Sequence, residues 1–472
     1  MIELVIPWII AFVEWGFLAF FLLLTATTLG LNLVAAVTIV RYLDRHTAVG
    51  NRQRESFGGF LPPISILVPA YNEESTIASS VHSLLQLNYP EFEIIVINDG
   101  SKDGTVQAAI SAFGLQPFGE IHRKTLPTKE VVEVYRSMKF PNLRFIDKKN
   151  GGKADALNAG INASNYALFC GIDADSVLQS DSLLRCVQPF LEDAATICSG
   201  GTIRIANGCQ VEGGFLVSTG LPRNPLALAQ VVEYLRAFLF GRLAWSPMNA
   251  LLVVSGAFGL FHRDTVVQAG GYSTGTIGED MELVMRLHRQ MLSAGREYRI
   301  VYIPDPICWT EAPESLKVLG SQRVRWQRGL AESLWRHRWF LFRPGTRFIG
   351  WFSYPFLLLF ELFEPLIEVG GLVFFVACSF WGSISWASTA LYLLLVVVLG
   401  FLQTVNAIFL EEVSFRQFKS IRHVLKLLLA AVVENFGYRQ LNTWWRLKGL
   451  VLWLSGRKQV WGNMVRKGVP TG

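Results

Sequence analysis

Two aspartates stand one residue apart in Asp173-Ala174-Asp175, directly after the apolar run Ala167 to Ile172. In extended backbone, residues i and i+2 point to the same side. Both carboxylates could therefore share one hard cation of the kind that bridges a diphosphate, although a solvated turn has the same letters. A second acidic pair, Glu279-Asp280, follows Gly278 and precedes the helical pattern Met281 to Leu287. Acids at a helix start favour its dipole. A carboxylate fixed there could also accept the proton of an attacking sugar hydroxyl, with Asp280 as base and Glu279 orienting. Gln322-Arg323-Val324-Arg325-Trp326-Gln327-Arg328 puts three guanidinium groups and an indole within seven residues. Arg grips two phosphate oxygens at once and Trp offers a flat face to a sugar ring. The same residues also suit a helix lying among lipid headgroups, which is the reading for Trp335-Arg336-His337-Arg338-Trp339. Asp99, in Asn98-Asp99-Gly100-Ser101, could hold a nucleoside by accepting hydrogen bonds, or could form an Asx turn.

The elements that must position these residues alternate along the chain. Ile64 to Val68 is a β-branched run ended by Pro69 and followed by an amphipathic stretch to Leu85. Phe92 to Ile97, Leu143 to Ile146 and Ala167 to Ile172 repeat the pattern, and an Asp follows each. Strands apolar on both faces, alternating with helices, predict a mostly parallel sheet covered by helices, with ligands beyond the carboxyl ends of the strands. Neither a dinucleotide fingerprint nor a P-loop occurs. The segment from about 114 to 140, with Pro117 and Pro127, reads as a surface insertion.

Composition frames this domain. Of 472 residues, 51% are hydrophobic and 17% charged, too apolar for an ordinary soluble protein. From Leu4 to Val40 the only charged residue is Glu14; Arg41, Arg45, Arg52 and Arg54 follow. That predicts an uncleaved N-terminal anchor over 1–45 with its basic end cytoplasmic. Residues 348 to 360 and 369 to 410 carry no charge, and the longer run could cross twice, turning near Trp381-Gly382-Ser383. With Leu427 to Val433, three or four spans are expected over 346–455, followed by a basic tail over 456–472 with Arg457, Lys458, Arg466 and Lys467. Glu361, Glu364 and Glu368 either border a polar path at membrane depth or sit near headgroups. Residues 46–345 form the domain between, ending in an amphipathic interface helix. The net charge of +6 invites nucleic acid, but the positive residues cluster beside the apolar runs, so no nucleic acid is expected. Six cysteines without C-x-x-C spacing read as reduced and structural.

Taken in order, Pro69-Ala70-Tyr71-Asn72-Glu73, Asn98-Asp99-Gly100-Ser101, Asn150-Gly151-Gly152-Lys153-Ala154-Asp155-Ala156-Leu157-Asn158, Asp173-Ala174-Asp175, Glu279-Asp280 and Gln322-x-x-Arg325-Trp326 span residues 64 to 329. The chain resembles the processive family 2 glycosyltransferases, the group of cellulose, chitin, hyaluronan and poly-N-acetylglucosamine synthases. The resemblance implies an α/β, GT-A cytosolic domain inserted between N-terminal and C-terminal transmembrane helices, in a multi-pass protein of the plasma (inner) membrane. It implies inverting transfer of a hexose or N-acetylhexosamine from a UDP-sugar to the non-reducing end of a growing β-linked polysaccharide, with translocation of the product. Ala70, Tyr71, Glu73 and Asp99 would hold the uridine, and Lys153 would approach the diphosphate. Asp175 would ligate Mg²⁺ or Mn²⁺ with Asp173 beside it, and Asp280 would be the general base. Gln322, Arg325 and Trp326 would close the site, with Trp326 and Glu279 nearest the acceptor. Gly278-Glu279-Asp280 departs from the Thr-Glu-Asp of cellulose synthases and the Gly-Asp-Asp of hyaluronan synthases, and the short basic tail leads to the expectation of no cyclic-dinucleotide module of the kind some cellulose synthases carry. The competing readings are a transferase that adds one sugar to a glycolipid acceptor and a receptor or transporter that only binds a nucleotide sugar, for which Asp280 would be dispensable.

Overall fold

A computed structural model of the chain describes residues 2–49, 61–119, 124–212, 215–380, 386–418 and 420–456. Helix α1 (Ile2–Val49) leads to β1 (Ile64–Ala70), α2 (Ile77–Leu85), β2 (Phe92–Asp99), α3 (Thr105–Phe113), β3 (Leu115–Pro117), β4 (Val131–Ser137) and β5 (Leu143–Lys148). Then come α4 (Lys153–Ala163), β6 (Leu168–Ile172), β7 (Val177–Leu178), α5 (Ser182–Glu192), β8 (Thr196–Ile205), the small hairpin β9 (Gln210–Glu212) and β10 (Phe215–Ser218), and α6 (Pro225–Tyr234). β11 (Phe258–His262), α7 (Arg263–Gln268), α8 (Glu279–Ser293), β12 (Arg299–Thr310) and α9 (Leu316–Arg336) complete the central domain. An apolar helical stretch, Ile349–Leu362, precedes α10 (Glu364–Phe380), α11 (Trp386–Ser414), α12 (Ile421–Val433) and α13 (Tyr438–Leu454).

Ten strands form one sheet in the order β3-β4-β5-β2-β1-β6-β11-β8-β12-β7. Its centre, β5-β2-β1-β6, is parallel. Every residue of β6 and all but the first of β2 are buried, as continuous apolar runs require when helices cover both faces. The expectation of a mostly parallel sheet needs correcting: four pairings are parallel and five antiparallel. β11 lies antiparallel between β6 and β8, and β3-β4-β5 is an antiparallel edge. The stretch expected as an insertion over 114–140 thus supplies two edge strands, while its residues 120–123 lie outside the described residues. Pro69 does not end the first strand either. It sits where pairing with β6 has stopped at Leu67↔Gly171 and only β2 continues, so its missing N–H breaks no bond to β6. Ala70, Asp99 and the Asp173-Ala174-Asp175 loop consequently share the carboxyl edge of the parallel centre.

Two helices among the described residues are long and apolar enough to cross a bilayer, Ile10–Asp44 within α1 and Val397–Ser414 within α11. Three or four C-terminal spans are expected from the sequence; α10 and α13 have 17 residues each, at the lower end of the length that crosses a bilayer, and α12 has 13. The turn expected at Trp381-Gly382-Ser383 lies outside the described residues, as do Arg52, Arg54 and the basic tail from Arg457. All six cysteines are free and buried. The three acids Glu361, Glu364 and Glu368 have polar partners on α13. Arg446 of α13 reaches Glu364 at 2.7 Å and Glu361 at 3.5 Å, and Thr443 donates to Glu368 at 2.5 Å. Further charged contacts bind the central domain to the flanking helices: Arg204 of β8 with Glu411, Arg236 with Thr404 and Glu434, and Tyr42 of α1 with Asp305 of β12.

Candidate active site

The site begins with a buried triad that linear reading missed. Lys148, at the end of β5 and 1% exposed, pairs with Asp99 at 2.5 Å and with Asp155 at 2.6 Å. Asp99 also accepts from the N–H groups of Gly151 (2.9 Å) and Gly152 (2.7 Å), and Asp155 from that of Lys129 at 3.0 Å. A buried cation between two carboxylates is tolerated only when the remaining lone pairs are also met. Meeting them pins the glycine turn that starts α4. Lys153, the first residue of that helix, is thereby aimed across the edge of the sheet. Asp99, expected to hold a nucleoside, spends three of its roughly four acceptor positions inside the fold. The Asx-type contact in that loop belongs to its neighbour, since Ser101 Oγ donates to Asn98 Oδ1 at 2.5 Å.

Lys153 brings the acidic motifs together. Its Nζ lies 2.5 Å from Asp173 Oδ1, 2.8 Å from the Gly256 carbonyl and 3.9 Å from Glu279 Oε1. A β-carbon on Gly256 would stand 3.0 Å from Asp280 Oδ2 and 3.5 Å from Lys153 Nζ, so the three groups face one small space. Tyr272, Phe261 and Leu157 line its inner wall. Burial works against the Lys153 ammonium, yet Asp173, Glu279 and Asp280 outweigh it and hold its pKa above the usual value. Burial pushes Glu279 up to about 7; Lys153 pulls it down and Asp280 pushes it further up. The carboxyl poised near neutrality is thus Glu279, whereas Asp280 is half-buried and accepts the Met281 N–H through Oδ1 at 2.8 Å. Arg242, on the segment leading to Gly256, stacks its guanidinium 3.9 Å from the Phe238 ring, and its Nη1 has no hydrogen-bond partner among the described residues. No motif signalled Lys148, Arg242 or Gly256.

Gly278 starts α8 against Gly329 of α9. A β-carbon on Gly329 would stand 3.1 Å from the Gly278 Cα and N, so the Gly278 backbone would have to give by a few tenths of an ångström. Gly329→Ala is expected to push α8 away, lowering stability by about 1–3 kcal/mol. Glu279 and Asp280 ride on that helix start and would be displaced with it. Thermal melts check this, and a wild-type melting temperature would remove the contact's importance. Lower on α8, His288 is fully buried between Tyr298 Oη at 2.7 Å and the Leu251 carbonyl at 2.8 Å. Burial pushes its pKa down to about 4, with Leu251 opposing weakly. The unfolded chain takes up a proton near pH 6.5 that the folded one refuses until about 4, so stability is lost as pH falls through that window. The loss amounts to about 3 kcal/mol at most. Melting temperature should drop from pH 6.5 to 4 and flatten there in His288→Gln; an unchanged slope would remove His288 from the account.

The remaining residues fall into two groups. Ala70 is buried and Tyr71 is 41% exposed beyond β1, and Ala70↔Asn98 is in register with β2. Glu73 is buried, its N–H donating to Thr105 Oγ1 at 2.9 Å and its Oε2 accepting from Thr76 at 2.6 Å. These stand with Asp99 at adjoining strand ends. Gln322, Arg325 and Trp326 lie together on α9, with Trp326 43% exposed and the Arg323 guanidinium 4.4 Å from its ring. Arg323 itself is committed to Glu233 of α6 at 2.8 Å. Among the described residues, no three or more His, Cys, Asp or Glu side chains converge on a metal position. The expected sharing of one cation by Asp173 and Asp175 assumes extended backbone, but the Ser176 N–H donates to the Asp173 carbonyl at 3.0 Å, so 173–176 is a turn, and Asp173 Oδ1 faces the Lys153 ammonium. A hard cation that takes most of its oxygens from a diphosphate needs only one or two carboxylates, and Asp175 and Asp173 are the residues in this loop with that chemistry.

Comparison with known proteins bears on this arrangement. Residues 65–121 match the family model Glycosyl transferase family 2, and residues 123–329 match Glycosyltransferase like family 2. The chain is similar to the poly-beta-1,6-N-acetyl-D-glucosamine synthase of Staphylococcus epidermidis, 30% identical over 277 residues, 58% of this chain and 56% of that protein. Its counterpart in Staphylococcus aureus (strain COL) is 32% identical over 312 residues, 66% of this chain and 62% of that protein. The chain therefore spans rather more than half the length of these curated relatives. Among solved structures it is similar to the mannosyltransferase PcManGT from Pyrobaculum calidifontis in complex with GDP-Man and Mn²⁺, with 17% identity, a TM-score of 0.50, and coverage of 88% of this chain and 99% of that one. That likeness supports a GT-A-like mixed α/β fold.

Proposed function

The chain belongs to the family 2 glycosyltransferases, and we propose that it is an inverting, metal-dependent polymerase that moves an N-acetylhexosamine or hexose from a UDP-sugar to the non-reducing end of a growing β-linked glycan. The observation that carries this reading is the convergence of Lys153, Asp173, Glu279 and Asp280 at the carboxyl edge of the sheet. The relatives' name favours UDP-N-acetylglucosamine as donor.

On this reading the acceptor hydroxyl gives its proton to Asp280 while its oxygen attacks the anomeric carbon. The bond from that carbon to the diphosphate breaks, and UDP leaves with the electron pair. Attack from the side opposite the leaving group inverts the centre. Lys153 supplies positive charge where UDP departs. Glu279, half ionised near neutrality, holds the neighbouring hydroxyl or Lys153 in place. Tyr71, Glu73 and Asp99 flank the uridine, and Gln322, Arg325 and Trp326 close over the donor and the acceptor's terminal sugar. A divalent cation, held by Asp175 with Asp173 beside it, would offset diphosphate charge. Helix α1 and helix α11 cross the cytoplasmic membrane and keep the central domain cytosolic. Exposed Phe12 (80%) and Leu33 (68%) on α1 supply apolar surface for that role.

Detergent-solubilised full-length protein with Mn²⁺ or Mg²⁺ and each common UDP-sugar tests the reading, by UDP release and product size. One donor yielding long, chelator-sensitive product supports it. A glycolipid bearing a single added sugar would move the assignment to a lipid-acceptor transferase, and silence with every donor, together with no UDP binding, would overturn it.

A further inference from the structure

We propose that Gln327 and Arg446 are positioning residues that lock the helix carrying Gln322, Arg325 and Trp326 onto the C-terminal helices at a break made by Pro365, and so govern how the acceptor end is held. The proposal rests on the polymerase reading above. Proline has no N–H, so Pro365 withdraws the donor that a regular helix would offer to the Glu361 carbonyl four residues earlier. Leu366 donates to Phe363 at 3.0 Å, which releases the Leu362 carbonyl as well. Buried carbonyls without donors are costly, so they need partners from elsewhere. Gln327 Nε2 donates to both, at 3.2 Å and 3.3 Å.

Arg446 completes the joint from α13. Its Nη2 also donates to the Glu361 carbonyl, its Nη1 reaches Glu364 at 2.7 Å, and its Nε donates to Gln327 Oε1 at 3.0 Å. Gln327 is 4% exposed and uses both its amide oxygen and its amide nitrogen here. A second tie fixes the same two helices. Glu233 receives Arg323 of α9 at 2.8 Å and the Tyr438 hydroxyl of α13 at 2.5 Å. Directional bonds fix register where apolar contact alone would let a helix slide, because a slip of one turn, about 5.4 Å, breaks all of them together. Trp326 is the residue before Gln327, and Arg325 the one before that. Displacing Gln327 therefore displaces the surface proposed to meet the acceptor, while Lys153 and the Asp173-Ala174-Asp175 loop stay on the sheet.

The test uses full-length Gln327→Leu, Arg446→Met, Arg446→Lys and Pro365→Ala; the last restores a donor to Glu361 without altering α9. Hydrogen exchange should rise at least tenfold over residues 320–330 in Gln327→Leu and Arg446→Met, and stay unchanged over 92–99. With UDP-N-acetylglucosamine and Mn²⁺, polymer should be at least threefold shorter. Arg446→Lys, which keeps a charge facing Glu364, should recover part of the length, and Pro365→Ala should shorten it. Unchanged exchange over 320–330, or raised exchange there with wild-type polymer length, would overturn the joint. A wild type that forms no polymer would instead sink the polymerase reading, while the exchange data still report on the joint.

Discussion

Asp280→Asn is expected to lower glycosyl transfer by about 10²–10⁴-fold with little change in UDP affinity, the usual weight of a positioned general base. The substitution is nearly isosteric and keeps an oxygen for the Met281 N–H, so the helix start should survive. Glu279→Gln makes the informative contrast. Its carboxyl sits near pH 7 because burial and Asp280 raise it against Lys153, so near neutrality a large share is already protonated. The amide of the variant would imitate that neutral form. A smaller loss is expected, with the inflection near pH 7 removed from the pH-rate profile. If Glu279→Gln abolishes transfer and Asp280→Asn does not, the two roles are exchanged.

Lys153→Met should be the second severe change. Lys153 stands between Asp173, Glu279 and Asp280, and without it these acids face one another across a space lined by Tyr272 and Phe261. Removing one member of a mostly buried ion pair typically costs about 3–5 kcal/mol, and less here because both side chains keep partial solvent access, 20% and 30%. UDP affinity should fall at least tenfold. The Lys153 charge holds Glu279 down, so its loss should carry the pH-rate inflection above 7. Asp173→Asn in the same background relieves one negative charge and should return part of the stability but none of the UDP affinity. Titration calorimetry with UDP and pH-rate profiles decide both points; wild-type UDP affinity in Lys153→Met would remove the lysine from donor binding.

Local pattern carried the parts of this structure that depend on local physics. Apolar runs bounded by Asp located the strands of the parallel centre, and Gly278-Glu279-Asp280 fell at a helix start, as acids before a helical period should. Gln322, Arg325 and Trp326 came out on one helix. What the letters did not disclose depends on partners far along the chain. β11 reads like any apolar run, and its antiparallel seat between β6 and β8 is set by pairing. Lys148 precedes Lys149 in an ordinary charged stretch, yet one is sealed between Asp99 and Asp155 and the other pairs at the surface with Glu130. Gly278 differs from the Thr of one prototype and matches the Gly of the other. Its reason is Gly329, 51 positions away and on another helix.

Helix α1 docks at a distance that orders the molecule's assembly in time. Ala35 and Ile39 are buried, and Tyr42 bonds to Asp305, 263 positions later. At a ribosomal pace of roughly 5–20 residues per second, that partner emerges about 13–50 seconds after Tyr42 does. During this interval the leading helix has its apolar length but not its polar anchor. A nascent chain interrupted before β12 should therefore hold the parallel centre, whose strands end by Ile172, with α1 still undocked. Maturation of this enzyme would close from its last strand back onto its first helix.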